Sequence, residues 1–276
     1  MKIVDAFTFF NEVEVLQMRL ELLYDVVDRF YIAEADHTFS GKPKPFVFKE
    51  CISHFARWAD KIEYIQVAAA LDGLDFSQKD STYTPTSSAW KIEKQQRNAL
   101  AACLNDLDDN DMMILSDLDE FINPMVIQAI RSADPIQIAR FILEPHILFM
   151  NCRNLEGQPW VHAFIAQKKF IQDYPDLDEV RVKKEVYTGI PNAGWHFSYL
   201  GGADQISLKI QSFSHTEYDR EEFTNPTKIQ QRIDAGSGIL GDSKNRGYAF
   251  NPIRWYPPKL QEIMRARPHL LMTDLS

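Results

Sequence analysis

A chain of 276 residues that is 45% apolar, 12% aromatic and 25% charged has enough apolar mass for one large core or two joined lobes, which excludes disorder and fibrous repeats. Thirty basic against 39 acidic residues leave a formal net charge of -9, the wrong sign for a protein that holds nucleic acid mainly by neutralising phosphates. Cys51, Cys103 and Cys152 are far apart and odd in number, so they supply neither a disulfide framework nor a CxxC metal knuckle and are expected as reduced thiols.

Residues 2–10 read as a buried strand, rich in Ile, Val, Ala and Phe. Asn11 is expected to cap the next helix, with Glu14 three positions on as its capping-box partner. Val13, Leu16, Leu20, Leu23 and Val27 then recur every three or four residues along one helical face. Phe30 to Ala35 is a second strand, and strand, helix, strand is a βαβ unit that predicts a parallel sheet covered by helices. A helix is expected across Cys51 to Trp58, a third strand at Ile62 to Val67, and a polar surface loop over 72–89 able to cover a site. From Trp90 a helix runs with Ile92, Gln96, Leu100, Cys103 and Leu107 in phase. Met112 to Leu115, apolar on both faces, is then a central strand, and Asn123-Pro124 opens another helix.

The second half predicts strands at Ile138–Leu143, Ile147–Met150, Ala163–Ile171 and Val180–Tyr187, an antiparallel extension of the sheet. Helices follow at Gln205–Phe213, Thr227–Ala235 and Leu260–Ala266, the last within a proline-rich tail. The expectation is one domain in three parts, 1–122, 123–250 and a tail over 251–276. Asp5, Glu12 and Glu14 spoil an N-terminal signal or anchor, and no run approaches the ~20 apolar residues of a membrane helix, so a soluble, cytoplasmic chain is expected.

Ser116-Asp117-Leu118-Asp119-Glu120 puts three carboxylates at the C-terminal end of the central strand, the edge where open α/β sheets bind ligands. Crowded carboxylates repel and lose hydration there, so positive charge is expected among them. A divalent cation is the economical form, and oxygen ligands favour Mg²⁺ or Mn²⁺. A sugar nucleotidyltransferase would also use paired acids, but it needs a Gly-rich basic loop after the first strand, which Thr8-Phe9-Phe10-Asn11 lacks. A non-catalytic carbohydrate-binding protein has no use for three acids.

Several segments occur together: Asp5 to Glu12, Leu23 to Phe30, Thr38 to Pro45, Ser116 to Glu120 and Gly194 to Gly202. The combination resembles glycosyltransferase family 17. The resemblance implies a GT-A type nucleotide-sugar (Rossmann-like) α/β fold, a mostly parallel sheet flanked by helices, with a nucleotide-binding half over 1–122 and an acceptor-binding half over 123–250. It also implies a UDP-sugar donor, UDP-GlcNAc for choice, a glycan acceptor, Mn²⁺ or Mg²⁺, and inversion at the anomeric carbon. The chain begins at the catalytic fold, which again points to a cytoplasmic enzyme.

On this reading Asp119 is the first-choice metal ligand, and Asp117 binds the ribose or the ion. His215, with His196 close behind, completes the metal shell, since neutral imidazole suits Mn²⁺. Phe7, Asn11, Glu34, Arg97 and Lys209 are the expected donor contacts, Lys209 toward the diphosphate. Trp195 and Tyr199 either stack on sugar rings or pack in the core. Single-displacement inversion needs a carboxylate within about 2.6–3.2 Å of the attacking hydroxyl. Asp204, beside Gly201-Gly202, is the first candidate, with Glu144 and Glu217 as rivals.

Overall fold

The computed structural model describes residues 1–133, 137–155, 157–172, 174, 176–182, 187–240 and 248–272. The first strand, β1 (Ile3–Phe9), is buried on both faces. Helix α1 (Val13–Leu23) carries the chain back to β2 (Arg29–Ala35), parallel to β1. A short helix α2 (Val47–Glu50) and a 3-10 stretch over Ile52–Lys61 lead to β3 (Ile62–Val67), parallel to β2. Helix α3 (Ser88–Ala99) and a second 3-10 stretch, Leu100–Asp106, lead to β4 (Met112–Asp117), which pairs with β1 on its other side. The parallel order is thus β3-β2-β1-β4, with apolar side chains above and below, as strands covered on both faces require.

The chain then turns through Leu118 and Asp119 into β5 (Glu120–Ile122) and α4 (Pro124–Ser132), whose N-terminal amide at Met125 is capped by the Asn123 side chain. The second half builds β6 (Ile138–Ile147), β7 (Cys152–Asn154), β8 (Phe164–Gln167), α5 (Lys168–Ile171), α6 (Leu177–Val182) and β9 (Thr188–Ser198). Strand β8 lies antiparallel between β4 and β6, so β4 and β6 run the same way. β9 is parallel to β6 and antiparallel to β5. Helices α7 (Gly202–Ile210), α8 (Glu221–Thr224) and α9 (Pro226–Asp234) pack on one another beside Ile147 and Leu148. Strand β10 (Tyr248–Phe250) pairs with β7, and α10 (Pro258–Arg265) closes the core against α1. Among the described residues, no helix is long and apolar enough to cross a membrane.

The first half therefore follows the periodicity read above, and the antiparallel extension is present through β8, β7 and β10. Six boundaries differ. Helix α1 is capped at Glu12, not Asn11, because the Asn11 carbonyl already accepts from the Val13 amide. The Cys51–Trp58 segment winds as 3-10 helix, and the helix from Trp90 tightens into 3-10 after Ala99. Ile147 ends β6, and Leu148, at φ 67°, turns the chain out of the sheet, so Ile147–Met150 is no separate strand. Phe164–Gln167 is extended, but the residues after it turn helical. Val180 to Val182 belong to α6 instead of a strand, and residues 183–186 of that expectation lie outside the described set.

Burial separates the three thiols. It pushes Cys103 up to about 12 and Cys152 up to about 11, while Cys51 is only half-buried. In native protein at pH 8, a thiol reagent should label Cys51 alone, and denaturant should release the other two. Titration with and without guanidinium checks this.

Candidate functional site

The site is built from beneath by one arginine. Arg19, on the inner face of α1, is fully buried and donates from Nε and Nη2 to Asp5 of β1 at 2.8 and 2.6 Å. Nη2 also donates to the Ser116 hydroxyl at 2.6 Å. Nη1 meets the carbonyls of Asp117, Leu118 and Glu120 at 2.8, 3.1 and 2.9 Å. Its fork thus fixes the backbone that carries the three acids, in the planar multidentate manner open to arginine but not lysine.

The carboxylates rise from the opposite side of that turn. Asp117 lies 2.5 Å from Arg181 of α6 and 3.3 Å from Arg97 of α3. Burial disfavours its charge, but the two guanidinium groups outweigh burial and hold the carboxyl down at about 2. Asp119 lies 2.7 Å from Lys209 of α7 and 3.6 Å from Nε2 of His196, and against burial this pair holds it well below the usual carboxylate range. Glu120 is wholly buried and accepts from the Asp117 amide at 2.8 Å, from Arg181 at 3.1 Å and from the Trp160 indole. Burial and the neighbouring Asp117 push it up.

His196 arrives through β9, where it pairs with Glu120. Gly194 makes that approach possible: at φ +150°, a Cβ there would fall 2.0 Å from the Phe121 carbonyl. The imidazole stacks on Trp160 at 4.2 Å between ring centres. Lys209 also lies 5.8 Å from the Tyr199 ring centre.

Charge decides what this arrangement can hold. Glu93 and Asp178 join the network through Arg97, each at 2.5 Å. Five carboxylates (Glu93, Asp117, Asp119, Glu120, Asp178) thus share three permanent cations (Arg97, Arg181, Lys209), and Glu120, buried beside Asp117, is the one pushed toward its neutral form. Asp119 with His196 could offer a divalent ion an oxygen and a nitrogen. Among the described residues no group of three or more His, Cys, Asp or Glu side chains is spaced as a cage. The pair fits the mode in which Mg²⁺ or Mn²⁺ takes one or two protein ligands and completes its shell with substrate phosphates.

Of the expected site residues, Asp117, Asp119, Arg97, His196 and Lys209 come together. Others lie elsewhere. Phe7 is fully buried under the Arg19 guanidinium, 4.3 Å from its ring centre, so its ring faces core and not a donor. Glu34 is wholly buried, with its oxygens taken by Lys44, Tyr64 and the Val47 and Phe48 amides. It anchors the turn into α2 and leaves no face for uracil or ribose. Trp195 is 8% exposed and packs on Phe197 and Tyr256, so of its two alternatives the core is realised. Asn11 stays half-buried at the end of β1.

His215 hydrogen bonds Glu217 at 2.8 Å within a ring of Tyr83, Trp90, Phe213 and Tyr218, while the histidine against Asp119 is His196. Glu144 pairs across with Trp195, and residues directly opposite in a sheet share a face; it therefore points away from His196, toward His146. Asp204 is exposed in the first turn of α7, about 140° around the helix from Lys209 at 100° per residue. Arg181 was not anticipated, because alternating valines disguise α6 as a strand; Arg19 was not, because it sits between Met18 and Leu20 like any surface arginine.

The description "Glycosyltransferase family 17" fits a sequence model that matches residues 1–256. This chain belongs to glycosyltransferase family 17. Among family-17 relatives it is 22% identical to the β-1,4-mannosyl-glycoprotein 4-β-N-acetylglucosaminyltransferase of Rattus norvegicus, over 94% of this chain and 52% of that protein. For the Homo sapiens protein of the same name the figures are 22%, 99% and 55%. The chain spans about half the length of the curated relatives it matches. Among solved structures, HddC from Yersinia pseudotuberculosis aligns with a TM-score of 0.37 and 13% identity over 71% of this chain and 90% of that one, too distant to carry a fold assignment.

Removing the Arg19 guanidinium would leave Asp5 buried without its partner and three loop carbonyls without a donor. Arg19→Met should therefore cost about 3–5 kcal/mol, read as a lower urea midpoint.

Proposed function

We propose that this family-17 chain is a metal-dependent inverting glycosyltransferase on a GT-A type fold. It moves a sugar, GlcNAc by its relatives' name, from a UDP-sugar to a hydroxyl of a glycan. The observation that carries the reading is the convergence of Asp119, His196 and Lys209, from three distant segments, at the C-terminal end of β4. There β1 and β4 begin to lead in opposite directions along the sheet, the crevice where α/β sheets take nucleotides.

The chemistry follows from charge. Breaking the bond between sugar and diphosphate builds negative charge on the leaving oxygens, and fixed positive groups nearby lower that barrier. A divalent ion, when bound, would supply Lewis-acid stabilisation of the departing diphosphate. Asp119 and His196 are the residues to hold it. Lys209, set between Asp119 and open space with its side chain 31% exposed, is placed to turn from the carboxylate to a phosphate. Arg97 and Arg181 keep Asp117 ionised, ready to accept a ribose hydroxyl. Because Glu144 faces the other side of the sheet, the base that takes the acceptor proton is Asp204 or Glu217.

Calorimetry with UDP, with and without Mn²⁺, tests the site. Asp119→Ala should abolish the metal-dependent part of binding and leave the fold intact; unchanged affinity sinks the reading. Lys209→Met should weaken UDP about ten- to a hundredfold, the size of one charge-assisted contact. Asp204→Asn and Glu217→Gln should both bind UDP normally, while one of them loses about 10²- to 10⁴-fold in transfer.

A further inference from the structure

Beside the acid cluster lies a groove of about 280 Å³, just under the roughly 300–1,000 Å³ usual for small-molecule sites. Leu148, Phe149, Tyr199, Gly202, Gln230 and His269 define its walls. We infer that this groove binds a neutral pyranose ring of the acceptor glycan. The inference rests on the glycosyltransferase reading for the word acceptor, though not for the binding itself.

Four observations support it. The groove sits at the correct edge: β8 is antiparallel to both β4 and β6, and β9 is parallel to β6, so the ends of β6 and β9 open on the same side of the sheet as Asp117. It is contiguous with the acids, since Lys209 reaches Asp119 at 2.7 Å and the Tyr199 ring at 5.8 Å, and one helix, α7, supplies both Lys209 and Gly202.

Its floor is held in an unusual conformation. Leu148 and Tyr199 follow directly on the last residues of β6 and β9 and stand at φ 67° and 60°, joined where the Leu148 amide donates to the Ser198 carbonyl at 3.0 Å. Only one other described residue besides glycine, Asn192, has positive φ. Left-handed leucine and tyrosine are disfavoured by their Cβ atoms, and such residues concentrate where a surface must be shaped for a ligand.

The lining chemistry selects the ligand class. Among the described residues no Lys, Arg, Asp or Glu lines the groove, which disfavours a phosphate or diphosphate; its one imidazole, His269, is engaged with Glu14 at 2.9 Å. Phe149 and Tyr199 offer aromatic faces to the C–H face of a sugar ring, and Gln230 on α9 offers amide groups to its hydroxyls.

Saturation-transfer NMR with methyl α-D-mannopyranoside, methyl β-D-glucopyranoside and methyl β-D-N-acetylglucosaminide reads binding without turnover. The wild-type chain should bind at least one of them at millimolar concentration. Phe149→Ala and Gln230→Trp, the second a surface change that fills the groove without touching the core, should each weaken it tenfold or more and leave UDP affinity within twofold. Trp255→Ala, an exposed aromatic outside the groove, should change nothing. Absence of glycoside binding by the wild type overturns the inference, as does binding that survives both groove variants. Failure of UDP to bind would instead count against the glycosyltransferase reading, while glycoside binding lost in the groove variants would still stand.

Discussion

The functional edge of this protein depends on a guanidinium buried beneath the sheet. A turn that carries Asp117, Asp119 and Glu120 has its carbonyls pulled toward the protein and its carboxylates crowded together, an arrangement that would relax if the backbone were free. Arg19 prevents this, because one planar group reaches Asp5 on β1, Ser116 on β4 and the carbonyls of Asp117, Leu118 and Glu120. Asp5 offsets its charge, so the cation is paired, as burial demands. The acids are therefore placed by an interaction on the face opposite the one they serve, which is why Ser116, next to Asp117, and Phe7, paired with Ser116 across β1 and β4, belong to the support and not to the ligand.

Above the sheet the same constraint takes a different form. Each acid has a protein cation: Arg97 and Arg181 at Asp117, Arg181 at Glu120, Lys209 at Asp119. The positive charge that the sequence led us to expect from an ion is thus partly supplied by side chains from α3, α6 and α7. The two kinds of partner differ in reach. Arg97 and Arg181 are nearly buried and stay with Asp117, whereas Lys209 keeps a third of its surface and a flexible stem. Asp119 is accordingly the carboxylate whose partner can be exchanged, and in the proposed reaction it is where ion and diphosphate meet.

How far the sequence revealed this depends on whether local pattern or long-range pairing decides each feature. The strands through β4 were legible because parallel central strands are apolar runs, and the acid triplet was legible because carboxylates at the end of such a run are out of place. β9 was not, because Pro191, Asn192 and Gly194 interrupt its alternation, and only pairing with β5 and β6 makes it a strand. Facing was lost with it. Without β9, nothing shows that Glu144 shares a face with Trp195 and lies across the sheet from His196, or that Trp195 is core while its neighbour reaches the acids. Glu34 misled for a similar reason: a carboxylate at a strand end suggests a ligand until the amides of α2 are seen to occupy it.

The placement of β8 explains how one sheet edge comes to hold both an acid cluster and a groove. After β4 the chain passes through β5 and α4 to β6, and β8 then inserts antiparallel between β4 and β6, so β6 points the same way as β4 only two strand spacings away, roughly 10 Å. β9 joins β6 in parallel and brings His196 up to Asp119 three residues before Tyr199 leaves the sheet. α7 begins at that exit and returns Lys209 to the same carboxylate. Because the strand that delivers His196 also shapes the groove floor at Tyr199, and the helix that delivers Lys209 also supplies a groove wall at Gly202, movement of either element shifts both sites together.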